Sequence, residues 1–212
     1  MYALAFFMEC GDLILPAIYD DLSCIHEGPY EKGNVKIDRD DIVIDCGSNM
    51  GLFSIVVAGR CKKVYAFEPV EATQSYIEKM SKIYKNIELC NFALSDKIGI
   101  AKFSANSDTN FANHIIDDDD EKGIIVNLMT IDEFVEKNGI SKVDYIKADI
   151  EGAERDMLRG ATKTLRKYAP KLSICEYHLK DDPQVLEKII LEANPNYIVK
   201  HEYMKIYAYV PE

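Results

Sequence analysis

Four acidic or imidazole side chains stand where apolar runs give way to polar residues: Asp45, Glu68, Asp149 and His178. Asp45 opens the turn Asp45-Cys46-Gly47-Ser48-Asn49-Met50-Gly51, which a stretch of helical length follows. Glycines let the backbone approach a ligand closely, and the first turn of a helix offers N–H groups without intrahelical partners. A dinucleotide fingerprint reads G-x-G-x-x-G with no acid just before it. Here two glycines stand four apart, and the Asp45 carboxylate would repel a pyrophosphate. It suits a ligand that carries an ammonium group, such as the methionine end of S-adenosylmethionine. The competing reading is a tight strand–helix turn capped by Asp45. Glu68 lies 21 residues beyond Gly47. An acid at that spacing, ending the next strand, can accept both hydroxyls of a ribose. A nicotinamide cofactor would share the ribose acid but not Asp45, so the pair favours S-adenosylmethionine.

Further along, Phe92 and Ala93 follow the third apolar run, where an adenine would stack on the ring and read backbone groups; a core phenylalanine beside a polar turn explains them equally well. Asp149, Glu151 and Glu154 put three carboxylates within six residues. Alternation sets Tyr145, Lys147 and Asp149 on one strand face, so Lys147 is expected to be buried and paired, with Glu176 on the next strand as candidate partner. His178 ends the run Glu176-Tyr177-His178. It is a candidate general base, or one ligand of a metal together with Asp149; an ordinary loop histidine is the alternative. His26, His114 and His201 fall in peripheral segments.

These residues need a scaffold that gathers strand ends. Short β-branched runs alternate with helical stretches: strands over 42–45, 63–68, 86–94, 99–104, 124–129, 143–149 and 172–177, and helices over 50–60, 70–84 and 183–193. In 70–84, Ala72, Tyr76, Met80 and Tyr84 recur every four residues. Thr130-Ile131-Asp132-Glu133 reads as a capping box, and a helix over 152–168 is expected to break near Gly160. The pattern implies an α/β fold with a mostly parallel sheet and helices on both faces. Strands at 197–200 and 206–210 suggest an antiparallel hairpin at one edge. Such sheets bind ligands beyond the carboxyl ends of their strands, where the strand order reverses.

The bulk properties agree. The 212 residues, 48% hydrophobic and 29% charged, suit one globular domain with a lead-in over 1–40 and a core over 41–212. A net charge of −11 disfavours a nucleic-acid partner. Six cysteines form no C-x-x-C pair, and Cys46, Cys90 and Cys175 sit beside strands, the pattern of buried thiols in a reducing compartment. The apolar start is too short for a signal peptide or a span, so a cytoplasmic location without membrane contact is expected. A helix over 13–22 is broken by Pro16. Two decoys drop out. Asn194-Pro195-Asn196-Tyr197 lacks the second proline of the N-P-P-Y signature and follows a late helix. The acidic run 117–121 lacks the spacing and glycine of a calcium loop. The long polar stretch 104–123 is a candidate cover over a substrate.

Taken in order, Gly28-Pro29-Tyr30-Glu31, Asp41–Gly51, Tyr65–Pro69, Ala93–Asp96, Thr130-Ile131-Asp132, Lys147–Glu154 and Glu176–His178 resemble the FkbM-type methyltransferases. These belong to the class I S-adenosylmethionine-dependent fold. The resemblance implies a Rossmann-like, seven-stranded sheet whose last strand is antiparallel, and transfer of a methyl group to a hydroxyl oxygen of a small molecule or sugar. By the match, Gly47, Ser48, Asn49 and Gly51 would line the methionine end and Glu68 the ribose. Glu31 joins the expected cofactor contacts, and Asp149 and His178 are the expected catalytic pair. Ser48 replaces the alanine common in this turn. No dedicated metal ligand set is implied, and a divalent metal requirement stays open. A different acceptor (RNA or protein) and a non-catalytic S-adenosylmethionine-binding protein are the alternatives.

Overall fold

The computed structural model describes residues 28–104, 115–116 and 123–211. The expected helix over 13–22, His26, His114 and the acidic run 117–121 lie outside them, as does most of the polar stretch 104–123.

Seven strands form the main sheet: β1 (Ile42–Cys46), β2 (Lys63–Phe67), β3 (Ile87–Cys90), β8 (Tyr145–Ala148), β9 (Lys171–Cys175), β10 (Ile198–Glu202) and β11 (Lys205–Tyr209). Their order is β10-β11-β9-β8-β1-β2-β3. β11 runs antiparallel to both its neighbours, and the pairs from β9 to β3 are parallel. The chain leaves β1 toward β2 and β3, then returns to β8 on the other side of β1. The order therefore reverses between β1 and β8, and a crevice opens beyond their carboxyl ends.

Alternation along the strands explains why helices cover both faces. Ile42, Ile44, Cys46, Ile146, Ala148, Leu172 and Ile174 point to one side. There they pack on α3 (Ile131–Lys137), α4 (Glu154–Arg159), α5 (Thr162–Tyr168) and α6 (Asp182–Ala193), through residues such as Phe134, Leu158, Leu165 and Ile190. Val43, Val64, Ala66, Tyr145 and Tyr207 point to the other side, onto α1 (Leu52–Ala58) and α2 (Glu71–Ile83) through Phe53, Val57, Ile77 and Met80. A strand buried on both faces needs apolar residues at nearly every position, and all five residues of β1 are buried.

One expectation changes. The strand expected over 86–94 is two strands. A tight turn, with the Phe92 N–H on the Cys90 carbonyl, ends β3. β4 (Ala93–Leu94) then joins β5 (Gly99–Ser104), β6 (Ile115–Ile116) and β7 (Gly123–Met129) in a second sheet of order β4-β7-β5-β6. The helix over 152–168 breaks at Gly160 into α4 and α5, as expected. A side chain at Gly160 would strike the Ser95 carbonyl. The Thr130 hydroxyl accepts from the Glu133 N–H at 3.0 Å, so the cap is real. Among the described residues Cys46, Cys61, Cys90 and Cys175 are buried free thiols. No described helix is long and apolar enough to cross a membrane.

Candidate active site

The turn after β1 is stitched to its neighbours on both sides. The N–H groups of Gly47 and Ser48 both donate to the Phe67 carbonyl at the end of β2, at 3.1 and 2.9 Å, and the Asp149 N–H donates to the Cys46 carbonyl at 3.2 Å. Gly47 has φ +72°, and a Cβ there would lie 2.1 Å from the Asp149 carbonyl oxygen. Only glycine lets β1 and the end of β8 approach this closely. Gly51 (φ +79°) starts α1 from a left-handed conformation. Asn49 also has positive φ, at +49°. Its N–H donates to Glu68 Oε2 at 2.9 Å, while its side-chain Oδ1 is buried with no hydrogen-bond partner among the described residues.

Glu68 is 6% exposed and also accepts from the Val70 N–H at 2.8 Å. Burial raises its carboxyl above the usual range, although the N–H groups of Val70 and Asn49 and the Thr73 hydroxyl oppose the shift. Phe92 is half-buried against the core, and Ala93 is buried in β4.

Asp45 departs from its expected part. Its side chain is fully buried. Oδ2 accepts from the Ser54 hydroxyl at 2.7 Å, and Oδ1 lies 3.2 Å from Lys147 Nζ. The ammonium that Asp45 meets among the described residues is thus the protein's own. Lys147 also donates to the Gly47 carbonyl at 2.9 Å, which locks the turn. Glu176 is not the partner found for Lys147. The β8–β9 register sets Lys147 beside Ser173, so residues 173 and 175 share its face and Glu176 falls on the other. Glu176 pairs with His201 Nδ1 at 2.6 Å instead.

Glu31 also moves away from the crevice. It takes the Ile37 N–H at 2.7 Å and pairs with Arg60. Arg60 lies just before β2, at the amino-terminal end of that strand and away from the carboxyl ends. The neighbouring Tyr30 does reach them: its hydroxyl donates to Asp149 Oδ2 at 2.9 Å. Its ring lies under two buried cations, Lys205 Nζ at 4.6 Å and Lys147 Nζ at 5.2 Å from the centroid. Lys205 donates to the Gly28 carbonyl at 3.0 Å, and Tyr145 and Tyr207 donate to the carbonyls of Tyr30 and Pro29. Residues 28–30 thus lie over the sheet as a strap held by strand side chains.

Asp149 and His178 are brought together. His178 Nε2 lies 3.6 Å from Asp149 Oδ1 and 3.5 Å from Glu151 Oε2. Nδ1 lies 3.2 Å from Glu154 Oε1. Glu154 is fully buried and fixed by the N–H groups of Ile150 and Gly152, at 2.8 and 3.0 Å. The Tyr177 hydroxyl donates to Asp149 Oδ1 at 3.3 Å. Burial alone would lower the His178 pKa, but Glu154, Asp149 and Glu151 outweigh it and raise it. Burial pushes Asp149 up, yet Lys147, the Tyr30 hydroxyl, His178 and Lys205 hold it below the usual carboxylate range.

Residues 45–203 match the family described as the methyltransferase FkbM domain. The chain belongs to the FkbM methyltransferase family. Its fold is shared with an FkbM methyltransferase from Methylobacillus flagellatus, with a TM-score of 0.65 and 20% identity over 87% of this chain and 49% of that one. A rRNA methylase from Streptococcus thermophilus shares the fold more loosely, with a TM-score of 0.51 and 16% identity over 84% of this chain and 91% of that one. In sequence the FkbM domain is similar to the hexuronic acid methyltransferase AglP of Haloferax volcanii, 27% identical over 157 residues. That match covers 74% of this chain and 64% of AglP.

Sequence reasoning missed Tyr30 and Lys205, which flank the matched residues 45–203. Residues 28–30 fall in the least patterned part of the chain, where the resemblance picks out Gly28-Pro29-Tyr30-Glu31 but gives Tyr30 no role. Lys205 opens an alternating apolar strand, a weak sign of a buried cation.

Proposed function

We propose that this chain is an S-adenosylmethionine-dependent O-methyltransferase acting on a hydroxyl of a small molecule or sugar. The observation that carries the reading is convergence. The Gly47–Gly51 turn, Glu68, and the Asp149–His178 group all stand at the carboxyl ends of β1, β2, β8 and β9, where the strand order reverses. The residues fit the cofactor. The buried Oδ1 of Asn49, with no hydrogen-bond partner among the described residues, can accept from a donor on the cofactor.

Gly47, Ser48, Asn49 and Gly51 would hold the methionine end. Glu68 would take the ribose, and Phe92 with Ala93 the adenine. Asp45 contributes through Lys147, which fixes the turn. When bound, the cofactor supplies an electrophilic methyl group. The chain's own residues position the acceptor and receive its hydroxyl proton at Asp149 or His178. Positioning is worth several orders of magnitude, and a placed base adds about 100- to 10,000-fold. The sugar substrate named for AglP favours a sugar hydroxyl, and the net charge of −11 argues against a polyanionic acceptor. The buried free thiols favour a reducing compartment, the cytoplasm.

Calorimetry with S-adenosylmethionine, followed by a methyl-transfer screen over sugar and polyol acceptors, tests the reading. Binding that Asn49→Ala weakens, and turnover that Asp149→Ala lowers by about 100-fold or more, are expected. No binding at millimolar cofactor overturns it.

A further inference from the structure

Asp149, Glu151 and His178 each present one ligand atom, and these atoms lie within 4.8 Å of one another. We propose that they form a binding site for a divalent transition ion such as Mn2+ or Zn2+ at the mouth of the crevice. The inference rests on the proposed function for the ion's use against the acceptor, but not for its binding.

Geometry favours an ion over a plain charge cluster. Ligand atoms at roughly 2.0–2.2 Å from a tetrahedral metal stand about 3.3–3.6 Å apart. His178 Nε2 lies 3.6 Å from Asp149 Oδ1 and 3.5 Å from Glu151 Oε2, near that separation. The His178 side chain is 8% exposed, and its Nε2 is buried with no hydrogen-bond partner among the described residues. A buried ring nitrogen without a partner, aimed between two carboxylates, needs something to bind.

The other ring nitrogen, Nδ1, also makes no hydrogen bond among the described residues, but it faces a nearer carboxylate that is itself held in place. Glu154 Oε1 lies 3.2 Å from Nδ1, and the backbone N–H groups of Ile150 and Gly152 hold Glu154 in place. A metal-bound histidine characteristically has a carboxylate behind its second nitrogen, which sets the tautomer that frees the first for the metal. Glu154 is therefore a positioning residue. Tyr30 and Tyr177 orient Asp149 by donating to its two oxygens. One imidazole and two carboxylates suit Mn2+ or Zn2+ better than an all-oxygen Ca2+ site. Three protein ligands leave positions open for water or for an acceptor oxygen, and with the ion bound His178 is a ligand, so the acceptor's proton falls to Asp149.

The experiment titrates the full chain with Co2+ and with Mn2+ alone, reading the visible Co2+ bands and the Mn2+ resonance signal without cofactor or acceptor. One equivalent is expected to bind. His178→Ala and Glu151→Gln should each abolish or weaken that binding by at least about 10-fold, and Glu154→Gln should weaken it by about 10- to 100-fold. His201→Ala should leave it unchanged. Glu151→Gln replaces a partly exposed side chain, so it reports on the site even if His178→Ala fails to fold. Absence of binding at millimolar ion, or equal binding by the folded Glu151→Gln protein, overturns the proposal and leaves a histidine charge cluster only. Ion binding without any methyl transfer would sustain the site while the proposed activity fails. Methyl transfer without ion binding would do the reverse.

Discussion

Two histidines of this protein each stand against carboxylates, and they differ in what surrounds them. His178 follows β9 at the strand ends, with Asp149, Glu151 and Glu154 around an 8% exposed side chain. His201 lies on the edge strand β10, with Glu176 at 2.6 Å and Glu187 at 3.2 Å, and its side chain is 34% exposed. Both pKa values are raised in the face of burial that would lower them. The same chemical neighbours therefore make two different things. At the edge, water screens the pair and the contact is a surface tie between β10 and α6. At the strand ends, burial and fixed carboxylates hold an imidazole nitrogen ready for a ligand. Position relative to the crossover, not residue type, separates them.

The comparison breaks first if the histidines prove interchangeable in turnover. His178→Ala is expected to lower kcat by about 100- to 10,000-fold, and His201→Ala to leave it within about twofold; steady-state kinetics on the acceptor found by screening decide this. Nearly as large is the effect expected behind the first histidine. Lys147→Met leaves the Asp45 carboxylate buried without its cation, which should cost about 3–5 kcal/mol in urea unfolding. The double variant with Asp45→Asn should recover part of that loss. Removing Glu187 beside His201 should cost less than about 1 kcal/mol.

Smaller again is Gly47→Ala. Its Cβ would strike the Asp149 carbonyl, and φ +72° is unfavourable for alanine, so a loss of about 1–3 kcal/mol and weaker cofactor binding are expected. The smallest effect concerns pH. The folded pKa of His201 is raised, so its contribution is fully present below the unfolded value near 6.5 and fades as pH rises through the folded one. Comparing the chain with His201→Ala, unfolding free energies should differ more at pH 6 than at pH 9, by under about 1 kcal/mol. Equal differences at both pH values would show that the charge on His201 does not contribute.

Much of the scaffold is legible in the chain because buried strands and amphipathic helices must repeat their apolar residues at fixed periods. The runs at 42–46, 63–67 and 171–175, the Thr130 cap and the break at Gly160 follow from such local rules. So does the placement of Gly47, Glu68, Asp149 and His178 at strand ends, because each closes or follows an apolar run. Local rules could not show that residues 86–94 divide between two sheets, since both halves are equally strand-like and only pairing tells them apart.

By itself, then, the sequence determined an α/β chain with acids and glycines set at the carboxyl ends of its strands. Tertiary structure alone decided the partners. Whether Lys147 meets Asp45 or Glu176 depends on strand register, in which one residue changes the face. That Tyr30 reaches Asp149, 119 residues away, depends on a strap held by side chains of β8 and β11. That Glu31, its immediate neighbour, turns to Arg60 follows from the same strap. Contacts between distant segments leave no period in the chain, because each is set by packing rather than by its neighbours in sequence.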